Sequence, residues 1–202
     1  MKRKIRIKKV NRFFILIIFL ISCIPLATNG SPITTPKDEL SIGIGASGTS
    51  SNPLIFSFSV SARYGLSENV DVGFSGFPII LGILNTDIKF RNSDFTALIF
   101  GTGFYFSPIG SLILPNFGLG FGNEVSYLSP RFIYVLGALE DTVDRISVKQ
   151  SSILQTSFGL TLGKSIKFNL EMGFFVGLGD LGGIAPYVHY GFLYIPTKKE
   201  RR

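Results

Sequence analysis

A chain of 202 residues is the length of one domain, and its 16% charged side chains fall short of the about 25–35% usual on a soluble surface. The formal charge of +7 is no evidence for nucleic acid, because it is concentrated at the front. Lys2, Arg3, Lys4, Arg6, Lys8, Lys9 and Arg12 supply seven of the 20 basic residues, and the remaining 13 balance 13 acidic ones. No aromatic and basic platform of the kind that stacks single strands follows.

The basic run leads into FFILIIFLIS at 13–22 and then Cys23. A basic segment, a ten-residue apolar segment and small residues near its exit predict a secretory signal over 1–22. A membrane-spanning helix needs about twenty apolar residues, and Pro25, Thr28, Asn29 and Gly30 close this run early. LISC at 20–23 resembles the lipobox of bacterial lipoproteins, in which a small residue precedes a cysteine that is lipidated and becomes the new N-terminus. The resemblance makes Cys23 the lipidation candidate; cleavage near residue 30, after Thr28-Asn29-Gly30, is the alternative. A single cysteine excludes an internal disulfide.

SPITTPKD at 31–38 carries two prolines and no alternation, and reads as an extended linker. From 39 to 196 the chain alternates with the period of two that marks strands. Leu40, Ile42, Ile44 and Ala46 oppose Ser41, Gly43, Gly45 and Ser47; GTSSNP then interrupts. Leu54, Phe56, Phe58, Val60, Ala62 and Tyr64 oppose Ser57, Ser59, Ser61 and Arg63. After the turn GLSEN, Val70, Val72 and Phe74 oppose Asp71, Gly73 and Ser75, which completes a hairpin. Leu84, Thr86, Ile88 and Phe90 oppose Asn85, Asp87, Lys89 and Arg91.

Across 95–106 both parities are apolar, but Gly101 and Gly103 mark one as crowded, so Thr96, Leu98, Phe100, Thr102, Phe104 and Phe106 are predicted to point outward. SPIGS at 107–111 reads as a loop, and Phe117, Leu119 and Phe121 then oppose Gly118, Gly120 and Gly122. Val125 and Tyr127 keep that parity while Phe132, Tyr134, Leu136 and Ala138 take the other. A turn at 122–124 with a bulge near Pro130 accounts for this, and so does a turn at 129–131; Gly-Asn favours the first. EDTVDRISVKQ at 140–150 is the longest polar interval. Leu154, Thr156, Phe158, Leu160 and Leu162 face out on the next strand, and GKS turns into Ile166, Phe168, Leu170, Met172, Phe174 and Val176. Val188, Tyr190, Phe192 and Tyr194 oppose Tyr187, His189 and Gly191 on the last strand, before a basic tail at 197–202.

Ten strands result, with eight as the alternative if the first or fourth is lost. Junctions after even strands are short and those after odd strands longer, as in barrels with short turns on one side and loops on the other. One face is large and aromatic; the other is mostly Ser and Gly with scattered charges. Lipid offers no partner for open backbone edges, so this pattern predicts an all-β fold: a closed antiparallel up-and-down transmembrane β-barrel.

The alternation over nearly the whole mature chain, with the strand-turn-strand YGLSENVDVG at 64–73, resembles the small outer-membrane β-barrels of Gram-negative-type bacteria. The resemblance implies residence in the bacterial outer membrane, with outer-membrane lipid and the barrel insertion machinery as partners. The usual terminal aromatic is replaced by Pro196 and a basic tail, so an insertion signal would have to be internal, at Tyr190, Phe192 and Tyr194. A soluble lipocalin-like barrel with the aromatic face inward is the competing fold, and it would crowd an interior that small barrels just fill.

No catalytic constellation is present, and no cofactor or metal site is expected. His189 is the one histidine: it is either a base for a neighbouring serine in a barrel-embedded lipid-modifying or hydrolytic enzyme, or a hydrogen-bonded lumen residue. Gly118 to Gly122 has phosphate-loop spacing but no following helix. The lumen-facing charges are Arg63, Asp71, Asp87, Lys89, Arg91, Lys167 and Glu171. Near balance favours mutual pairing that plugs the lumen, because isolated charges in a low-dielectric wall cost several kcal/mol; a narrow ion or small-solute channel is the sharper reading. The expectation is a non-enzymatic barrel that is structural or presents its loops.

Overall fold

The computed structural model describes residues 31–49, 55–77, 82–107, 110–140, 145–146, 151–178 and 183–195. The signal segment, Cys23, the cleavage positions, Pro196 and the basic tail lie outside them. The strands are β1 (Leu40–Thr49), β2 (Ile55–Ser67), β3 (Val70–Phe77), β4 (Gly82–Ser93), β5 (Thr96–Ser107), β6 (Gly110–Gly122), β7 (Ser126–Glu140), β8 (Arg145–Ile146), β9 (Ser151–Gly163), β10 (Ile166–Leu178) and β11 (Gly183–Tyr194). The described residues contain no helix.

Each long strand pairs antiparallel with its sequence neighbours, and β1 pairs with β11, so the ladder closes on itself. β8 pairs only with the end of β7, which leaves ten strands in the wall and rules out the eight-strand count. Most wall strands have 12 or 13 residues. At about 3.3 Å per residue and a tilt near 40° they cross an apolar band about 25 Å tall.

Burial follows the alternation, with its sense inverted relative to a soluble protein. Phe58 is 65% exposed and Ile44 60%, whereas Asp71 and Glu171 are 0% exposed. Leu98, Phe100 and Phe106 face out and Ala97, Ile99 and Tyr105 face in, as Gly101 and Gly103 predicted. The exchange of faces that a lipocalin-like barrel requires is absent. Outward rings pair across strands, Phe100 with Phe117 at 5.1 Å and Phe168 with Phe192 at 5.6 Å. Tyr64, Phe90, Phe95, Phe121 and Tyr194 stand exposed near the short-turn rim, where amphipathic and aromatic rings form interfacial girdles.

Two local expectations are corrected. β7 pairs with β9 without interruption from Ser126↔Leu160 to Val135↔Ser151, so there is no bulge at Pro130, and Tyr127 points into the lumen. The turn does fall at 123–125. The change of parity belongs to this turn, and Pro130 is absorbed because the β6–β7 pairing lapses opposite it, as it does at Pro115, where no N–H is available. The loop expected at 107–111 is also shorter than predicted: β6 begins at Gly110, and Ser111 to Leu114 already alternate out and in.

The lumen has two layers. Toward the long-loop side, Tyr105, Leu112, Leu114, Ile133, Val135, Ile153 and Phe175 form an apolar cap. Toward the short-turn side lie the charges. Residues 31–38, expected as a linker, fold into that mouth: Ser31, Thr34, Thr35 and Glu39 are buried, and Asp38 adopts a φ of 60° where the segment turns into β1.

Candidate functional site

The lumen charges come from neighbouring strands whose register is fixed by the hairpins. Gly73 of β3 faces Arg63 of β2 and Asp87 of β4, and Asp71 faces Lys89. Arg63 is thereby set between two carboxylates. Its Nε and Nη2 donate to Asp71 Oδ1 at 3.0 and 2.5 Å, and Nη2 also donates to Asp87 Oδ1 at 2.6 Å. Asp71 Oδ2 accepts the Thr35 N–H at 2.7 Å, and Lys89 Nζ donates to the Ile33 carbonyl at 3.3 Å. These bonds offset desolvation, which burial of an unpaired ion would leave at several kcal/mol.

A second centre lies on the opposite wall. Glu171 of β10 accepts hydrogen bonds from Tyr127 at 2.9 Å and Tyr187 at 3.0 Å, and Gln155 Nε2 donates to the Tyr187 oxygen at 2.9 Å. Tyr127 lies across Gly159, where a Cβ would strike its ring, so the glycine makes room for the phenol to reach Glu171. Tyr187 stacks on Phe175 at 4.7 Å, which joins this centre to the apolar cap.

Arg131 also belongs to the lumen, 4% exposed on β7, with Asp87 and Glu171 acting on it as opposite charges. Its Nε and Nη2 find no hydrogen-bond partner, nor do the side-chain oxygens of Ser129, Ser151, the Asn116 Oδ1 and the Gln155 Oε1. All are enclosed in packed side chains. Arg63, Lys89 and Arg131 thus face Asp71, Asp87 and Glu171 in the interior, with Glu39 buried at the mouth.

The other predicted charges sit at the rim. Arg91 pairs with Asp94 and donates to the Ser93 carbonyl at 3.3 Å, outside the buried network. Lys167 stands 3.7 Å from Glu124. His189 is 3% exposed, its Nδ1 2.8 Å from Ser47 Oγ, and its ring fills the space above Gly45. A hydroxyl beside an imidazole has the makings of a nucleophile and base, but both side chains are buried and the adjoining cavity is about 30 Å³, room for a water or two. Among the described residues no group of three or more His, Cys, Asp or Glu side chains is placed to hold a metal ion.

Sequence reasoning missed Arg131, Tyr127 and Ser47 as members of these networks. Arg131 carried the signal of an inward charge on a strand of otherwise apolar alternation, and the mistaken parity of Tyr127 hid it.

No protein-family model matches the chain, and no curated protein matches it. Among solved structures it is similar to a de novo designed transmembrane β-barrel, with 9% identity, 80% of this chain and 98% of that one covered, and a TM-score of 0.35. It is similar to the N-terminal β-barrel domain of Pseudomonas aeruginosa OprF, with 12% identity, coverage of 78% and 98%, and a TM-score of 0.37. Ail, the attachment invasion locus protein of Yersinia pestis, matches at 14% identity, coverage of 78% and 98%, and a TM-score of 0.32.

Proposed function

We propose that this chain is an integral protein of the bacterial outer membrane, a non-enzymatic barrel that serves as structure and presents its longer loops while its lumen stays plugged. The observation that carries the reading is the inverted burial on a closed ladder: large apolar side chains ring the outside and the ion network lies within. Lipid is the solvent that favours both at once, because it covers the apolar band and punishes every open backbone edge. Outer-membrane lipid is therefore the first partner, and the insertion machinery the second, read through Tyr190, Phe192 and Tyr194, all exposed on β11.

Plugging rests on the packing. Arg63 ties β2 to β3 and β4 through Asp71 and Asp87, Tyr127 of β7 bonds Glu171 of β10, and two cavities among the described lumen side chains are about 30 Å³ each. The test is electrophoretic mobility of boiled against unboiled protein from outer membranes, combined with an alkaline wash. A heat-dependent shift with retention in the membrane supports the reading; release by alkali without a shift overturns it.

A further inference from the structure

We infer that residues 31–38 are a hinged lid over the short-turn mouth, and that this lid, not the barrel wall, controls access to the charges behind it. The segment is held by a few polar contacts. Thr35 N–H donates to Asp71 Oδ2 at 2.7 Å, Lys89 Nζ to the Ile33 carbonyl at 3.3 Å, Asp38 N–H to the Gly65 carbonyl at 2.9 Å, and Thr34 Oγ1 to the Glu68 carbonyl at 2.9 Å. A wall strand is instead bonded along both edges. With Thr35 Oγ1 also meeting Ser41 Oγ, the segment is buried but lacks a ladder on either edge, so it can leave without breaking the barrel wall.

Three features allow the segment to open while the barrel wall stays intact. Asp38, a non-glycine residue at a φ of 60°, is the bend between lid and β1. Asp71 and Lys89, the two wall residues that grip the lid backbone, are register partners on β3 and β4, so when the lid leaves they face one another and neither charge is stranded. Between the lid and the wall lies a cavity of about 30 Å³, room for a water or two, lined by Ser31, Thr35, Ser41, Arg63, Lys89 and Lys167 among others, so the lid rests on the wall without filling the mouth completely.

Gly65, a wall residue paired with Asp71, supplies a lever aimed at the lid. A Cβ there would run into the carbonyls of Thr35 and Pro36, and those lid atoms are its nearest neighbours. Ser41, 1% exposed and 3.1 Å from Thr35 Oγ1, lies directly behind the lid and serves as reporter.

The experiment places Ser41→Cys in a Cys23→Ser background, folds the full chain into liposomes or detergent, and measures modification by a charged, membrane-impermeant thiol reagent. With the lid intact the thiol reacts slowly; adding Gly65→Ala is expected to speed it by at least about tenfold while the heat-dependent shift of the barrel persists. Thr35→Pro, which removes the N–H that Asp71 accepts, gives the same result by a different route. Equal protection after either substitution overturns the lid, because the wall then closes the mouth. Rapid reaction with the lid intact overturns it as well. Loss of the heat-dependent shift in both variants makes the segment a structural part of the barrel, which also refutes the inference. The proposed outer-membrane role fails separately, through the alkaline wash.

Discussion

Arg63 and Asp71, eight residues apart on adjacent strands, meet inside the barrel with two guanidinium nitrogens on one carboxylate oxygen, at 3.0 and 2.5 Å. The hairpin between β2 and β3 sets this pair, and the next hairpin adds Asp87 to the same guanidinium. Removing one partner of such a buried group is costly because the other charges stay behind.

Arg63→Met is therefore expected to lower stability by about 3–5 kcal/mol. Arg131→Met, which removes a cation whose Nε and Nη2 have no partner, is expected to cost less than half as much. Urea titration of the folded band in lipid measures both. Equal losses would mean that Arg63 is not held by its carboxylates.

The Glu171 centre predicts that Tyr127→Phe costs about 1.5–3 kcal/mol, the range for a hydrogen bond to a charged group. Gly159→Val should cost more, because it pushes the whole phenol off the wall and away from Glu171 and Asn169. If the glycine variant is the milder of the two, the phenol does not lie across Gly159.

Depth along a single strand separates lipid from water outside. Met172 stands exposed near the middle of β10 and Ile166 at its short-turn end. Arginine at Met172 is expected to cost about 2–4 kcal/mol in a bilayer and at Ile166 about 0–1. A flat profile, measured by unfolding from vesicles, would place the aromatic face in water.

Planar bilayers containing the folded protein should show no stepwise current, and Lys89→Glu should leave the trace silent, since Lys89 is 1% exposed and the lumen is packed beyond it. Discrete conductance that changes with Lys89→Glu would establish a channel and contradict the plug.

How far the fold was legible can be read from particular residues. Period two over β2, β9 and β10 assigned faces correctly, and Gly101 and Gly103 settled the ambiguous β5. Tyr127 went wrong because its parity was carried over from β6 through a turn, and a turn is where parity resets. Leu112 and Leu114 were left unassigned between the loop expected at 107–111 and the alternation from Phe117, since an apolar cap inside a polar lumen leaves no alternation of polarity to read.

The sequence by itself determined the strand period, the short turns and the apolar face, because each depends on neighbours within a few residues. It also made Arg63 and Asp71 near neighbours through a single turn. Only the tertiary structure decided that β1 closes against β11, that Tyr127 reaches Glu171 and Ser47 reaches His189 across 44 and 142 residues, and that 31–38 enters the mouth. Those contacts depend on closure and on the tilt of the strands around the barrel, which set which inward side chains share a level. No local pattern carries that information.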